Sequence, residues 1–211
     1  MSSKQTTTKT RDTWREKQWY DIVAPDYFNN KVVGSTPASD PAFLIGRTVE
    51  PTLKDVTGDP NQVHVKLRLK IIDVVGQQAK TVFYGHEWSS DYLRGLVRRG
   101  TSRIDWIGPI LTKDDYLIRI SVIVFTTNRI KTSQEHAVRK EIEGVIVTHA
   151  KKHTFDELVE KVVMGELASE VRERVKTIIP LRQCEIRKCK VLKGPEEVKA
   201  RRARLRRGQQ E

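Results

Sequence analysis

Residues 63–71 read VHVKLRLKI, in which Val63, Val65, Leu67, Leu69 and Ile71 alternate with His64, Lys66, Arg68 and Lys70. A period of two sends the apolar set to one face of a β-strand and the polar set to the other. The stretch therefore predicts a sheet with one dry face and one cationic face. Gly76 and its neighbours supply a turn after it, and Ala79 to Tyr84 can return as the antiparallel partner.

Downstream, Arg103 to Leu111, a turn over Thr112 to Asp115, and Tyr116 to Thr127 have the pattern of another hairpin. From Leu117 to Phe125 every residue is apolar apart from Arg119 and Ser121. Such a run predicts a central strand, largely buried. Between the hairpins, Ser89 or Ser90 can cap a short helix carrying Tyr92, Leu93, Leu96 and Val97 and ending at Gly100. Its polar side bears Arg94, Arg98 and Arg99.

Thr132 and Glu135 have capping-box spacing, ahead of Val138, Ile142, Val145, Ile146 and His149 at a 3.6-residue period. Thr154 and Glu157 repeat the device before Phe155, Leu158, Val159, Val162 and Val163, and the stripe resumes through Leu167, Val171, Val175 and Ile178. Glycine in a helix interior costs about 1 kcal/mol relative to alanine, so a break is expected at Gly165. Pro180 ends the run, and Cys184 to Leu192 can form one more strand.

Toward the N-terminus the signals thin out. Thr13 and Glu16 suggest a short capped helix from Trp14 to about Tyr20, limited by Pro25. Asn29 to Pro41 has a loop composition, Phe43 to Thr52 is a strand candidate, and Asp55 to Asn61 is turn material. Strands followed by helices place the chain in the α+β class.

The formal net charge of +12 is unevenly spread. Residues 1–20 carry five Lys/Arg against two acids, residues 182–211 carry eleven against four, and the 161 residues between are almost balanced. The reading is a basic N-terminal arm at 1–20, one globular body at 21–192 and a basic tail at 193–211. The tail has too thin an apolar stripe to bury, so it is expected to gain order on a partner. A pI near 9.8 points to an acidic partner, and charge alone leaves RNA, DNA, an anionic membrane face and an acidic protein open. No apolar run approaches the roughly 18 to 20 residues that cross a bilayer, so no membrane span is expected. With no apolar leader in the first twenty residues, a cytosol-like compartment is expected.

Cations at strand and arm positions are the candidate ligands for phosphate. In the N-terminal arm these are Lys4, Lys9, Arg11, Arg15 and Lys17. On the 63–71 strand, Lys66, Arg68 and Lys70 recur every roughly 6.6 to 6.8 Å, close to the roughly 6 to 7 Å between phosphates of a single strand; a solvated face or cross-strand ion pairs would use the same row. Arg94, Arg98, Arg99 and Arg103 form a third group, Arg187, Lys188, Lys190 and Lys193 a fourth, and Arg201, Arg202, Arg204, Arg206 and Arg207 fill the tail. Lys and Arg release counterions condensed on a polyphosphate, so basic arms gain affinity without a preformed groove. Among the tryptophans, Trp14 and Trp19 lie among basic residues and could stack on bases, whereas Trp88 and Trp106 read as core or rim packing.

Other chemistry finds little footing. Cys184 and Cys189 lack companions for a four-ligand site and read as ordinary thiols. His149 and His153, four apart on one helix, lack a third ligand nearby. Phosphate-loop, dinucleotide-binding, zinc-protease and serine-elbow motifs do not occur. No enzyme activity, cofactor, metal or small-molecule substrate is expected.

Five stretches occur together in order: EKQWYDIVAP (16–25), GSTPASD (34–40), IGRTVEPTLKDVTGDPNQVHVKL (45–67), GHEWSSDYLRGLVRRGTSRI (85–104) and IIPLRQCEIRKCKVLKGP (178–195). With them the chain resembles the small-subunit ribosomal protein family e-S-one, also called S-three-a-e, of archaea and eukaryotes, and its length is closer to the archaeal form. The resemblance implies an antiparallel β-barrel-like or sandwiched sheet with flanking helices in the C-terminal half and basic terminal arms. It implies a structural constituent of the small ribosomal subunit in the cytoplasm, on the platform near the messenger exit, with small-subunit ribosomal RNA and neighbouring platform ribosomal proteins as partners. A free-standing regulator that binds RNA or DNA, an RNA-processing enzyme and a protein-only interaction module are the alternatives.

Overall fold

The alternation at residues 63–71 resolves into a longer strand that starts two residues later than its pattern. A computed structural model describes Trp14, residues 17–196 and Val198. Its strands are β1 (Gln18–Val23), β2 (Val32–Ala38), β3 (Thr48–Val49), β4 (Val65–Val75), β5 (Gln78–Trp88), β6 (Arg103–Leu111), β7 (Leu117–Thr126) and β8 (Leu181–Lys193). The helices are α1 (Leu53–Thr57), α2 (Ser90–Leu96), α3 (Thr132–Lys152), α4 (Phe155–Met164) and α5 (Glu166–Lys176). Val63 keeps helical dihedrals at the end of a short turn whose Asp59 side chain accepts from Asn61 N–H, so it stays outside β4 and exposed.

β4 and β5 form the expected antiparallel hairpin around Gly76, which adopts a positive φ of 62°. The strand order is β2-β1-β5-β8-β7-β6, with β4 on the other edge of β5 and β3 beside β4. β5 is the junction. One edge carries β4, while the opposite edge takes β1 at residues 78–80 and β8 at residues 85–87. In the gap between them the Tyr27 hydroxyl accepts from Phe83 N–H at 3.2 Å and Thr81 Oγ1 donates to Val23 O at 2.7 Å, which satisfies groups a continuous ladder would have paired.

Of the expected barrel-like or sandwiched sheet with flanking helices, the sheet and the helices of the C-terminal half are present, and among the described residues β2 and β6 end the strand order without pairing to each other, so the sheet does not close. It is also mixed, because β1 runs parallel to β5. The helix expected from Trp14 to about Tyr20 is not found at its described end. Gln18–Tyr20 opens β1, where Tyr20 and Ile22 are buried and pairing with both β2 and β5 outweighs a short capped turn; Thr13 and Glu16 lie outside the described residues. The loop expected over 29–41 contains β2, an end strand that tolerates Pro37 as an interior strand would not. Phe43–Thr52 yields only the two-residue β3, and the 55–61 turn overlaps α1, capped by Asp55 on Thr52 N–H. α2 ends at Leu96 and not at Gly100, and the α3 box is shifted by one residue, with Gln134 accepting from Lys131 N–H.

The hairpin of β6 and β7 and the α4–α5 break at Gly165 (φ 85°) occur as expected, and the strand expected over 184–192 extends to Leu181–Lys193. β7 lies between β6 and β8, which is why its sequence is almost wholly apolar. Ile118, Ile120, Val122 and Val124 face Val138, Ile142 and Ile146 of α3 and Val171 and Val175 of α5 in the main core. Each such side chain contributes roughly 1.5 to 3 kcal/mol by leaving water. Ile123 and Phe125 point the other way, under Leu93 of α2. The helices therefore cover one face of the sheet, and α2 covers only the end of the other.

Candidate nucleic-acid interface

The uncovered face is built by strand parity and by two bulges. In β8, Cys184 and Ile186 face the core, and so does Cys189, three residues on. The register accounts for the skip: Val122 pairs with Ile186 and Ser121 with Lys188, leaving Arg187 as an extra residue. Arg187 and Lys188 thereby both reach the outer side. In β5 the register passes from Phe83 opposite Leu69 to Gly85 opposite Arg68, so Tyr84 is the extra residue between a buried Phe83 and a buried His86.

Two rows then cross five strands on the outer face. One runs Arg68, Gly85, Lys190, Arg119, Pro109 over β4, β5, β8, β7 and β6. Its neighbour runs Lys66, Glu87, Lys188, Ser121, Ile107. At about 4.8 Å per strand the rows are about 19 Å wide. Gly85 is required where it stands, since a Cβ there would lie 2.6 Å from Cys189 O of the adjacent strand. Lys190 Nζ lies 5.9 Å from the Tyr84 ring centre, a cation–π contact at the edge of the useful range.

Part of this charge is paired internally. Arg68 Nε lies 2.8 Å from Glu50 Oε1, and Lys188 Nζ donates to Glu87 at 2.9 Å. Burial works to raise the Glu87 carboxyl, but the Lys188 bond and the charges of Lys188, Arg68 and Arg187 outweigh it and hold its pKa below the ordinary carboxylate value. With Arg68 37% and Glu50 51% exposed, their pair is worth less than about 1 kcal/mol and a phosphate can replace it. Lys66, Lys70, Arg119 and Arg187 make no ion pair among the described residues, and Lys66, Lys70 and Arg119 are exposed.

Of the third group, Arg103 is clamped by Asp105, with Nε 3.1 Å from Oδ2, and Arg94 pairs loosely with Asp91 at 3.7 Å. Arg94, Arg103 and Arg187 line one depression beside α2, whereas Arg98 and Arg99 stand exposed in the turn after it. Lys17 covers the exposed Trp14 ring at 4.4 Å, and Lys193 closes β8 opposite Leu117. Lys4, Lys9, Arg11, Arg15, Arg201, Arg202, Arg204, Arg206 and Arg207 lie outside the described residues. Trp19 is exposed on β1, while Trp88 and Trp106 are half-buried against the main core. The Trp106 ring lies over Gly108, where a Cβ would approach it to 2.5 Å.

Reading the sequence missed Arg119. It interrupts an otherwise apolar run, and a lone cation in a central strand is the signal that one face lacks cover. Buried thiols at Cys184 and Cys189 are free, with burial pushing both up to about 12, so neither is a reactive thiolate at neutral pH. His149 Nε2 contacts Glu170, tying α3 to α5, and His153 Nδ1 lies 3.1 Å from Glu157, whose carboxylate also accepts from Thr154 N–H at the start of α4. No group of three or more His, Cys, Asp or Glu among the described residues could hold a metal, and no described helix is long and apolar enough to cross a membrane.

Comparison with known proteins gives a consistent relationship. The model of the Ribosomal S3Ae family matches residues 5–195. The small ribosomal subunit protein eS1 of Staphylothermus marinus is 45% identical over 185 residues, spanning 88% of this chain and 87% of that protein. Its counterpart in Methanobrevibacter smithii is 46% identical over 184 residues, 87% of this chain and 95% of the relative. For Saccharolobus islandicus the figures are 46% over 198 residues and 94% of each chain.

Proposed function

This chain belongs to the Ribosomal S3Ae family, and from that premise we propose that it is a structural protein of the small ribosomal subunit that holds ribosomal RNA against the outer face of its sheet. Members of the family are non-catalytic components of the ribosome, and the chain is not an enzyme. The proposed location is the platform near the messenger exit, in cytoplasmic ribosomes, beside other platform proteins.

The observation that carries the RNA-binding assignment is the pair of outer rows, where Lys66, Arg68, Lys188, Lys190 and Arg119 converge on an uncovered sheet face. A-form RNA hides its base edges in a deep groove, so such a face selects shape and phosphate positions and not sequence. Cations of residues 1–20 and 193–211 add counterion release to this contact. The exposed Ile107 and Pro109 at the β6 end of the rows give apolar contact area at the rim.

Sedimentation tests the assignment. The chain is expected to remain with small subunits through a moderate salt wash, and crosslinks to RNA are expected from β8. Release into the soluble fraction, as for a free regulator of messenger or DNA, would contradict it.

A further inference from the structure

Arg94, Arg103 and Arg187 belong to α2, β6 and β8, yet they line one depression of about 170 Å³ with Ser90, Leu93 and Ile123. Each guanidinium is placed by a separate device. Arg103 gives Nε and Nη2 to the Asp105 carboxylate. Arg187 is the extra residue of the β8 bulge, turned outward beside Lys188. Arg94 rides on α2, which is pinned by burial of Leu93 on Ile123 and Phe125 and by Arg182, whose Nη1 donates to Leu96 O at 3.2 Å.

The charge within the depression is not balanced. Asp91 and Asp105 answer two of the arginines, and Arg187 has no bonded partner among the described residues. The depression thus carries a net positive charge beside an apolar floor of Leu93 and Ile123. Cofactor and drug sites enclose about 300 to 1,000 Å³, so this volume suits a single group. Planar guanidinium forks match the oxygens of a phosphate.

We propose that this depression seats one phosphodiester of the ribosomal RNA backbone and so fixes the register of that RNA on the two cationic rows. The inference rests on the RNA-binding reading above. Arg187 joins the seat to the row through Lys188, so a strand leaving the depression continues onto the sheet. A contact of this kind positions the RNA without reading its bases.

The test uses the full chain, full-length small-subunit ribosomal RNA and inorganic phosphate as a second probe. Arg187→Gln is expected to weaken RNA binding about five- to tenfold at 150 mM salt and to lower the magnitude of the salt slope by about 0.7 to 0.9. Arg94→Gln should weaken it in the same direction, and with a side chain 82% exposed this variant keeps the fold. Millimolar phosphate should shift the Nε–Hε resonances of Arg103 and Arg187 in the unmodified chain. If Arg94→Gln and a folded Arg187→Gln both bind RNA normally while Arg119→Gln/Lys190→Gln binds weakly, the seat is wrong and the RNA-binding reading stands. If all of these variants bind normally, the reading itself fails. A phosphate response with unchanged RNA binding in the arginine variants would mark a free-anion site and overturn the proposal.

Discussion

Arg119 of β7 and Lys190 of β8 stand directly opposite one another across the antiparallel ladder, on the outer face of the sheet, away from the end that α2 covers. Neither forms an ion pair among the described residues. Like charges at paired positions destabilise a sheet, by roughly 0.2 to 1 kcal/mol on the scale of cross-strand pairs. A polyanion laid across the two strands turns that repulsion into attraction.

Neutralising either partner should therefore separate stability from binding. Arg119→Gln or Lys190→Gln is expected to raise the unfolding free energy of the RNA-free chain by about 0.2 to 1 kcal/mol, or about 0.5 to 4 °C in Tm, while lowering RNA affinity about fivefold. Thermal unfolding and filter binding on the same samples read both effects. A variant that loses stability and keeps its affinity would show the pair to be structural.

Gly85 is held by sterics and Gly144 is not. Ala at 85 would place Cβ 2.6 Å from Cys189 O, a backbone atom that moves only if β5 and β8 part, so Gly85→Ala should destabilise by at least about 1 to 3 kcal/mol. Gly144, inside α3, has open space at its Cβ position. Gly144→Ala should stabilise by about 0.5 to 1 kcal/mol. Urea unfolding of the two variants should move in opposite directions, and equal shifts would refute the close approach of the strands.

His86 is buried, its Nε2 lies 2.9 Å from Ile186 O, and burial lowers its pKa from 6.5 to about 4. Between those values the unfolded chain binds a proton that the folded chain refuses. Stability should be level in this respect above pH 6.5 and fall as pH drops toward about 4, by a total of about 3 kcal/mol from this one group. His64, also lowered by burial, and the carboxylates add their own slopes, so the comparison is with His86→Gln. That variant should show a shallower loss of Tm between pH 7 and 4.5, and parallel profiles would exclude the assignment.

Affinity should depend steeply on salt. With about six cations on phosphates, the slope of log affinity against log salt is expected to be about −4 to −5. A slope near zero would mean that charge does not hold the RNA.

Much of this was legible wherever the pattern was local. The β4 alternation and the apolar run of β7 each report the burial of their own residues, and Gly165 reports its own break. β1 and β2 were not legible because their stability comes from partners far along the chain, including a parallel pairing to β5 that no short-range signal announces. The cations of β4 were readable as a row, but their neighbours were not, since a cross-strand row requires the register. Even the β8 bulge left a trace: apolar spacing goes from two to three at Ile186 to Cys189. Arg119 left the plainest trace, a charge where a fully covered strand could not keep one.

Crosslinking in purified small subunits, with the joined RNA and peptide fragments identified by mass spectrometry, tests the placement of the sheet most directly. The account predicts RNA attached to peptides containing Lys66, Arg119, Lys188 and Lys190, and none on the solvent side of α3. RNA joined to α3, with those four residues joined only to protein, would contradict it.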